Sequence, residues 1–364
     1  MSIVASQHHP TGLLLARAQE QQSFRLLELP DALVELLSSP NPPLLTVKSR
    51  PAPPSAIAQA QKESYAYLCT PNKTYQLRQV HTSNSVLIAE PTSLSETPAF
   101  STIAQCGSML ELRPVADSPR PLLQEALAEC DDVRRDDAAG PALNGGPLTS
   151  KSKAEVFADV PFSDEECERA WVDMCAFDLN GVPSYPSART PWTYWKAIHA
   201  LSVAEGIDLG AQLQIRDVQR QLEEEGLLPQ LIAAIFLRLL PDDQLPEPDW
   251  TVVDRAKCVP WVGKHLLIAL DSLDSELPTA SFLDQWRDAL PEAWRSDVAL
   301  EAIKDDYVLP TEHHIAPKGS ALTQYRRTAS AGNDKGAAAA AAAEKGPVKR
   351  KWHEKFKASR RPPQ

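Results

Sequence analysis

The residues best suited to chemistry stand at the end of the chain. Lys349, Arg350 and Lys351 precede Trp352, Lys355 and Lys357 flank Phe356, and Arg360 and Arg361 follow. Lysine and arginine neutralise phosphates, and indole and phenyl faces stack on bases, so this interleaving is a pattern for nucleic-acid contact. The same cations also read as a nuclear import signal. A third reading has Trp352 and Phe356 packing as a docking segment. The setting is unusual, because the chain as a whole carries a formal net charge of -11. Acids dominate from Glu125 to Asp178, and a basic tail on an acidic body reads as an interaction or targeting arm.

Little else suggests a reaction. The cysteines, Cys69, Cys106, Cys130, Cys167, Cys175 and Cys258, form no C-x-x-C pair and no zinc-ligand spacing with histidine. Their scatter suits buried free thiols in a reducing compartment. His8 and His9 lie in the polar start, His313 and His314 lie beside a short strand, and His81 and His199 are isolated. All read as loop or structural histidines. Glu223-Glu224-Glu225 and Asp305-Asp306 are consecutive, so on a helix they diverge and do not converge on one ion. Gly140, Gly145 and Gly146 lack a P-loop lysine, and no G-x-G-x-x-G follows a strand. Arg50-Pro51-Ala52-Pro53-Pro54 reads as a loop insertion. Gln230 to Leu237 approaches a clamp-docking peptide but has Ala233 where a larger aliphatic belongs, and reads as a core helix. The expectation is a protein with no enzymatic activity and no cofactor or metal. No apolar run is long enough to span a membrane, and no signal-peptide core is present.

The elements that must carry these residues change in character along the chain. Residues 1–22 are polar and Gln-rich and read as a disordered lead-in. Residues 23–130 read as a β-rich domain. Asp31 caps a short helix, and Leu44-Leu45-Thr46-Val47 follows as a strand. Tyr65 to Cys69 and Tyr75 to Val80 form a hairpin across Thr70-Pro71-Asn72-Lys73, where proline fixes one angle and asparagine tolerates the left-handed region. Ser85 to Ile88 and Met109 to Leu112 add strands, and Leu122 to Cys130 reads as one helix. Short strands with long interruptions leave sheet edges open. Such a barrel-like region either closes on itself or borrows strands from a partner, and the strands alone leave both open.

Residues 131–153 read as a linker. The second half turns helical, and all eight tryptophans lie from Trp171 onward. Ser163-Asp164-Glu165-Glu166 is a capping box ahead of Cys167, Ala170, Trp171 and Met174 on one helical face. Asn180-Gly181 suits a tight hairpin, and Thr190-Pro191 starts a further helix. Gln214 to Leu240 reads as helix-turn-helix, broken at Gly226 and restarted at Pro229. Pro260 is expected to kink or split the segment from Asp254 to Leu270. Val298 to Tyr307 suggests another helix, and Val308 to Pro317 a strand and wing. The fold class is therefore α+β, with a β-barrel-like front followed by tandem winged-helix modules at 154–212, 213–275 and 276–328. A low-complexity spacer, 329–348, and the basic tail, 349–364, complete the chain.

Several segments resemble one family, the sister chromatid cohesion protein of the DCC type. Phe24-Arg25-Leu26-Leu27-Glu28-Leu29-Pro30 is similar to its opening motif. Ala66 to Ile88 carries the most specific likeness, in Cys69, Lys73-Thr74-Tyr75 and Thr82-Ser83-Asn84-Ser85. Leu322-Thr323-Gln324-Tyr325-Arg326 and Ala358-Ser359-Arg360-Arg361 resemble its C-terminal end. The alanine run from Ala337 to Ala343 departs from the pattern, and the last module looks shortened. The resemblance implies an accessory subunit of the cohesion-specific alternative replication factor C clamp loader. Its front would be completed by the large ATPase subunit and a small companion. Its winged helices would reach DNA and the catalytic subunit of DNA polymerase epsilon, in the nucleus. The alternative is a stand-alone winged-helix transcription or chromatin regulator.

Overall fold

Turns and caps set the frame of the first half. The computed structural model describes residues 14–49, 66–94, 97–131, 142–144, 151–242, 250–271 and 277–319. Strands β1 (Leu14–Arg17) and β2 (Leu26–Glu28) lead to helix α1 (Asp31–Leu37). Strands β3 (Thr46–Ser49), β4 (Ala66–Cys69), β5 (Thr74–Leu94) and β6 (Thr97–Pro114) follow. Between β4 and β5, the Thr70 amide donates to the Lys73 carbonyl at 2.9 Å and the Thr70 hydroxyl donates to it at 3.0 Å, so the turn read from sequence is made as expected. The strands read at Ser85 to Ile88 and Met109 to Leu112 are segments of two much longer ones. At about 3.3 Å per residue, β5 alone runs roughly 70 Å.

The sheet has the order β1-β6-β5-β4-β3, with β2 also on β6. It is open, and no closed barrel forms among the described residues. Leu14–Arg17 belongs to the stretch read as a disordered lead-in, yet it pairs parallel with β6 from Ala99 to Thr102. An exposed β6 edge offers unpaired backbone groups, and even a short polar-flanked segment can satisfy them.

The remainder of the first half repeats one element order. Helix α2 (Arg120–Ala126) gives way to strand β7 (Ala128–Asp131), where the sequence suggested continuous helix to Cys130. Strand β8 (Ala142–Asn144) falls inside the stretch read as linker and pairs with β7. Helices α3 (Lys153–Asp159) and α4 (Asp164–Asp173) and strands β9 (Phe177–Leu179) and β10 (Val182–Pro186) follow. The capping box is present in full at Ser163 and Glu166, and a second one caps α3 at Ser152 and Glu155. Asn180 and Gly181 take φ of 54° and 83°, the left-handed pair a two-residue hairpin needs.

The chain divides into two compact units, the first comprising 1–131 with 141–186, the second 187–364 with 132–140. The division at Pro186 falls inside the module read as 154–212. In the second unit, α5 (Thr190–Glu205), β11 (Leu213–Gln214), α6 (Ile215–Glu224), α7 (Pro229–Arg238) and β12 (Trp250–Thr251) make one set. Helices α8 (Arg255–Leu270) and α9 (Thr279–Asp288) with strands β13 (Leu277–Pro278), β14 (Tyr307–Thr311) and β15 (His314–Pro317) make the next. The helix expected from Val298 is replaced by 3-10 turns at Glu292–Asp297 and Leu300–Ile303. Pro260 neither splits nor ends α8, which is continuous through it.

Tryptophans fill this second core. Trp286 is fully buried and its indole N–H donates to the Val259 carbonyl at 2.9 Å. Gly263 permits that approach, since a Cβ there would stand 2.4 Å from the Trp286 ring. Trp195 donates to the Ala289 carbonyl at 2.9 Å, and the Tyr194 hydroxyl accepts from the Leu228 amide at 2.8 Å.

Candidate functional site

The long β5–β6 hairpin is covered at one end and bare at the other. Paired residues share a face, because side chains alternate along each strand. On one face near the turn, Leu68, Tyr75 and Leu112 pack with Leu33 of α1 in a buried cluster, flanked by Leu29, Leu36, Leu45 and Leu77. The opposite face carries Cys69, Thr74 and Lys48, and it meets the helical part of the same unit.

That second contact is polar and dense. The Lys48 ammonium donates to the carbonyls of Phe157 at 2.9 Å and Phe162 at 2.7 Å, and pairs with Asp164 at 3.2 Å. The Thr74 hydroxyl donates to Glu166 Oε2 at 2.5 Å and accepts from the Ser163 amide at 2.7 Å. Ser163 Oγ donates to the same carboxylate oxygen at 2.6 Å. The capping box was legible in sequence; its third member, Thr74, lies 89 residues before Ser163 and had no local signal. Lys48 was missed for the same reason.

Nucleophiles here are held silent. Burial raises the Cys69 thiol above its usual range, outweighing its hydrogen bond with the Thr74 hydroxyl. Burial also pushes Cys167 up to about 12. Thiolate, the reactive form, is thus disfavoured at both. All six cysteines are free and buried, as their scatter in sequence suggested. The cluster fastens sheet to helices and has no exposed reactive group.

A bulge separates the covered end from the rest. The β5–β6 register jumps between His81↔Ser108 and Val86↔Cys106. Thr82-Ser83-Asn84-Ser85 therefore stands opposite Gly107 alone. Such an insertion bends and twists the strand that carries it. Past it, Val86, Leu87 and Phe100 are exposed, with Leu14 and Leu15 on β1, Leu15 to 63%. Strand β4 ends its pairing at Leu77. From Arg78 to Leu94 the outer edge of β5 has no strand beside it among the described residues. A long open edge of this kind is a template for an added strand.

The other residues singled out in sequence are dispersed. His81 is exposed on β5 opposite Ser108, and His313 is exposed between β14 and β15. His314 Nδ1 lies 2.7 Å from the Thr311 hydroxyl. His199 is half-buried against Trp195, and burial, then Arg295, lowers its pKa. Glu223, Glu224 and Glu225 are exposed at the end of α6. Asp306 pairs with Lys264 at 2.5 Å. Leu231, Ile232, Ile235 and Phe236 of α7 are buried, so the glutamine-led segment is a core helix. The basic tail from Lys349 to Arg361, the alanine run, the Pro51–Pro54 insertion and Leu322 to Arg326 lie outside the described residues. No described helix is long and apolar enough to cross a membrane.

Comparison with known proteins bears on the same segments. A search of curated proteins finds no match to the chain. The profile of the family described as sister chromatid cohesion protein Dcc1 matches residues 24–326, from the strand before α1 to beyond β15. The stretch it covers holds the Lys73-Thr74-Tyr75 fastening and the bulge at Thr82 to Ser85, and on that match this chain belongs to the sister chromatid cohesion protein Dcc1 family and its role lies in sister chromatid cohesion.

Proposed function

We propose that the chain is a non-catalytic adaptor subunit of the cohesion-type alternative replication factor C clamp loader, acting in the nucleus. The bare half of the β5–β6 hairpin carries the reading. An open edge from Arg78 to Leu94, with Val86, Leu87 and Phe100 exposed beside it, is costly for a protein that works alone. Strands from the large ATPase subunit and the small companion would pair with that edge and cover those side chains.

The helical remainder is read as three winged-helix modules. What supports this is a recurring order of helix, strand, two helical elements and one or two return strands, the second helical element of the last set being 3-10 turns. The sets run from α2 to β10, from α5 to β12 and from α8 to β15, with the return strands β15 and β14 in the order β13-β15-β14. Each set starts one helix upstream of the module read from sequence. The third helical element of a winged helix usually meets DNA. In the first set that helix, α4, exposes Asp164, Glu165, Glu168 and Asp173. In the second, α7 is mostly buried. Those surfaces favour protein, and DNA polymerase epsilon is the partner we assign to the array. DNA contact falls to the basic residues Lys349 to Arg361, which also suit nuclear import.

The test uses the full chain co-expressed with the large ATPase subunit and the companion. Wild type is expected to co-purify with both. A Val86→Asp, Leu87→Asp double variant should lose them while its isolated melting temperature stays unchanged. Retention of the complex by the variant, or no complex with wild type, overturns the reading.

A further inference from the structure

No acidic residue occurs between Asp178 and Glu205. Helices α7 and α8 also lack acidic residues, but α7 is mostly buried and the α8 cations Arg255, Lys257 and Lys264 are paired with Asp297, Asp242 and Asp306. Helix α5 is thus distinguished by an exposed face whose cations have no carboxylate partner among the ion pairs described. Arg189, Lys196 and Val203 follow at intervals of seven, so they fall on one line along the helix. All three are exposed, Val203 to 70%, and Ala200 and Ala204 are exposed beside them. The opposite face is fixed by the buried Tyr194, Trp195, Ile198 and Ser202. The helix is therefore a rigid platform. By contrast, α6 and α9 carry both signs on their outer faces, paired as Arg220–Asp217 at 3.3 Å and Arg287–Asp284 at 3.0 Å.

We infer that this face is a docking strip for an acidic amphipathic helix of a partner protein. Small side chains at Ala200 and Ala204 let a second helix approach to about 8 Å between axes. Val203 supplies the apolar contact, and Lys196 meets a carboxylate one heptad back. Arg189, the N-cap two heptads back, already donates through Nη2 to the Asp271 carbonyl at 3.1 Å and meets a carboxylate with its remaining N–H groups. Arg295 adds positive potential near His199, at the flank of the strip. Single-stranded nucleic acid fits worse. The strip's two cations are too few to track a phosphate backbone. The strip lies wholly on the second unit and owes nothing to the open sheet edge.

The test is fluorescence anisotropy with the full chain and a synthetic helix of about three heptads. That probe has leucine at its a and d positions and glutamate elsewhere. A matched peptide with lysine in place of glutamate and a short oligothymidine are the controls. The glutamate peptide should bind at least about tenfold more tightly than the lysine peptide. Lys196→Glu should reverse that preference, and Val203→Asp should weaken the glutamate peptide by about tenfold or more. Both residues are solvent-facing, so melting temperatures should not move. Three results would overturn the inference: no binding of the glutamate peptide, equal binding of the two peptides, or wild-type affinity in both variants. Oligothymidine binding abolished by Lys196→Glu would reassign the strip to nucleic acid.

Discussion

The two ends of one hairpin contrast sharply. Near the turn from β4, strands β5 and β6 are covered on both faces, by α1 on one and by the helical part of the same unit on the other. Beyond the bulge at Thr82 to Ser85, the same two strands keep their ladder but bury only the small side chains of Ala99, Ala104 and Cys106. Exposed large apolar side chains follow that division: Val86, Leu87 and Phe100 lie past the bulge, whereas Tyr75 and Leu112 before it are buried. A ladder of backbone hydrogen bonds does not by itself bury apolar surface. Past the bulge only the short β1 adds to β5 and β6, and so small a sheet is marginal in water unless something packs on it. The difference teaches that its own chain buries one half of this hairpin and leaves the large apolar side chains of the other half in solvent.

Thiol labelling gives the largest contrast. Cys69 and Cys167 sit in the covered end, and Cys106 sits past the bulge, its Sγ 3.6 Å from the Phe24 carbonyl. Opening the bare half costs only local unfolding, whereas the covered end opens with the whole unit. Alkylation of the native chain should modify Cys106 at least about 100-fold faster than Cys69 or Cys167, as followed by peptide mass spectrometry. Equal rates would dissolve the distinction.

Side-chain truncation should follow the same line. Tyr75→Ala removes a buried ring and is expected to cost about 3–5 kcal/mol in denaturant unfolding. Leu87→Ser, at a site 54% exposed, should stay within about 0.5 kcal/mol in the isolated chain. A large loss at Leu87 would mean that the distal half is already packed.

An effect between those two is expected at the fastening. Thr74→Val keeps shape but removes the hydroxyl between the Ser163 amide and Glu166. A buried donor left unpaired costs about 1–3 kcal/mol. The loss should appear as faster hydrogen exchange at the N-terminus of α4. Unchanged exchange there would show that the Thr74 hydroxyl adds nothing to the hold that Lys48 and apolar contact provide.

Much of the fold was legible wherever a signal is local. The capping box at Ser163, the Thr70 to Lys73 turn, the Asn180-Gly181 hairpin and the stop at Gly226, φ +85°, were read correctly because each depends on residues within one turn of itself. The misreadings are as instructive. Ala128 to Cys130, read as the end of a helix, becomes strand because it pairs parallel with β10 at Ser184 to Pro186. Leu14–Arg17 is too short to announce itself and is strand only because β6 offers an edge. The candidate surface was half visible: its strands and the chance of open edges could be read, but the side on which they stay open could not.

The sequence by itself determined the family, the acidic body with its basic tail, and the alternation of strand-rich and tryptophan-rich halves. These rest on composition and on contacts between near neighbours. Only the tertiary structure decided that Thr74 and Lys48 clasp helices some ninety to over a hundred residues away, that the bulge divides covered from bare hairpin, and that α5 presents an acid-free face outward. Each of those depends on which distant segment arrives to bury a surface, and no residue carries that information in its own spacing.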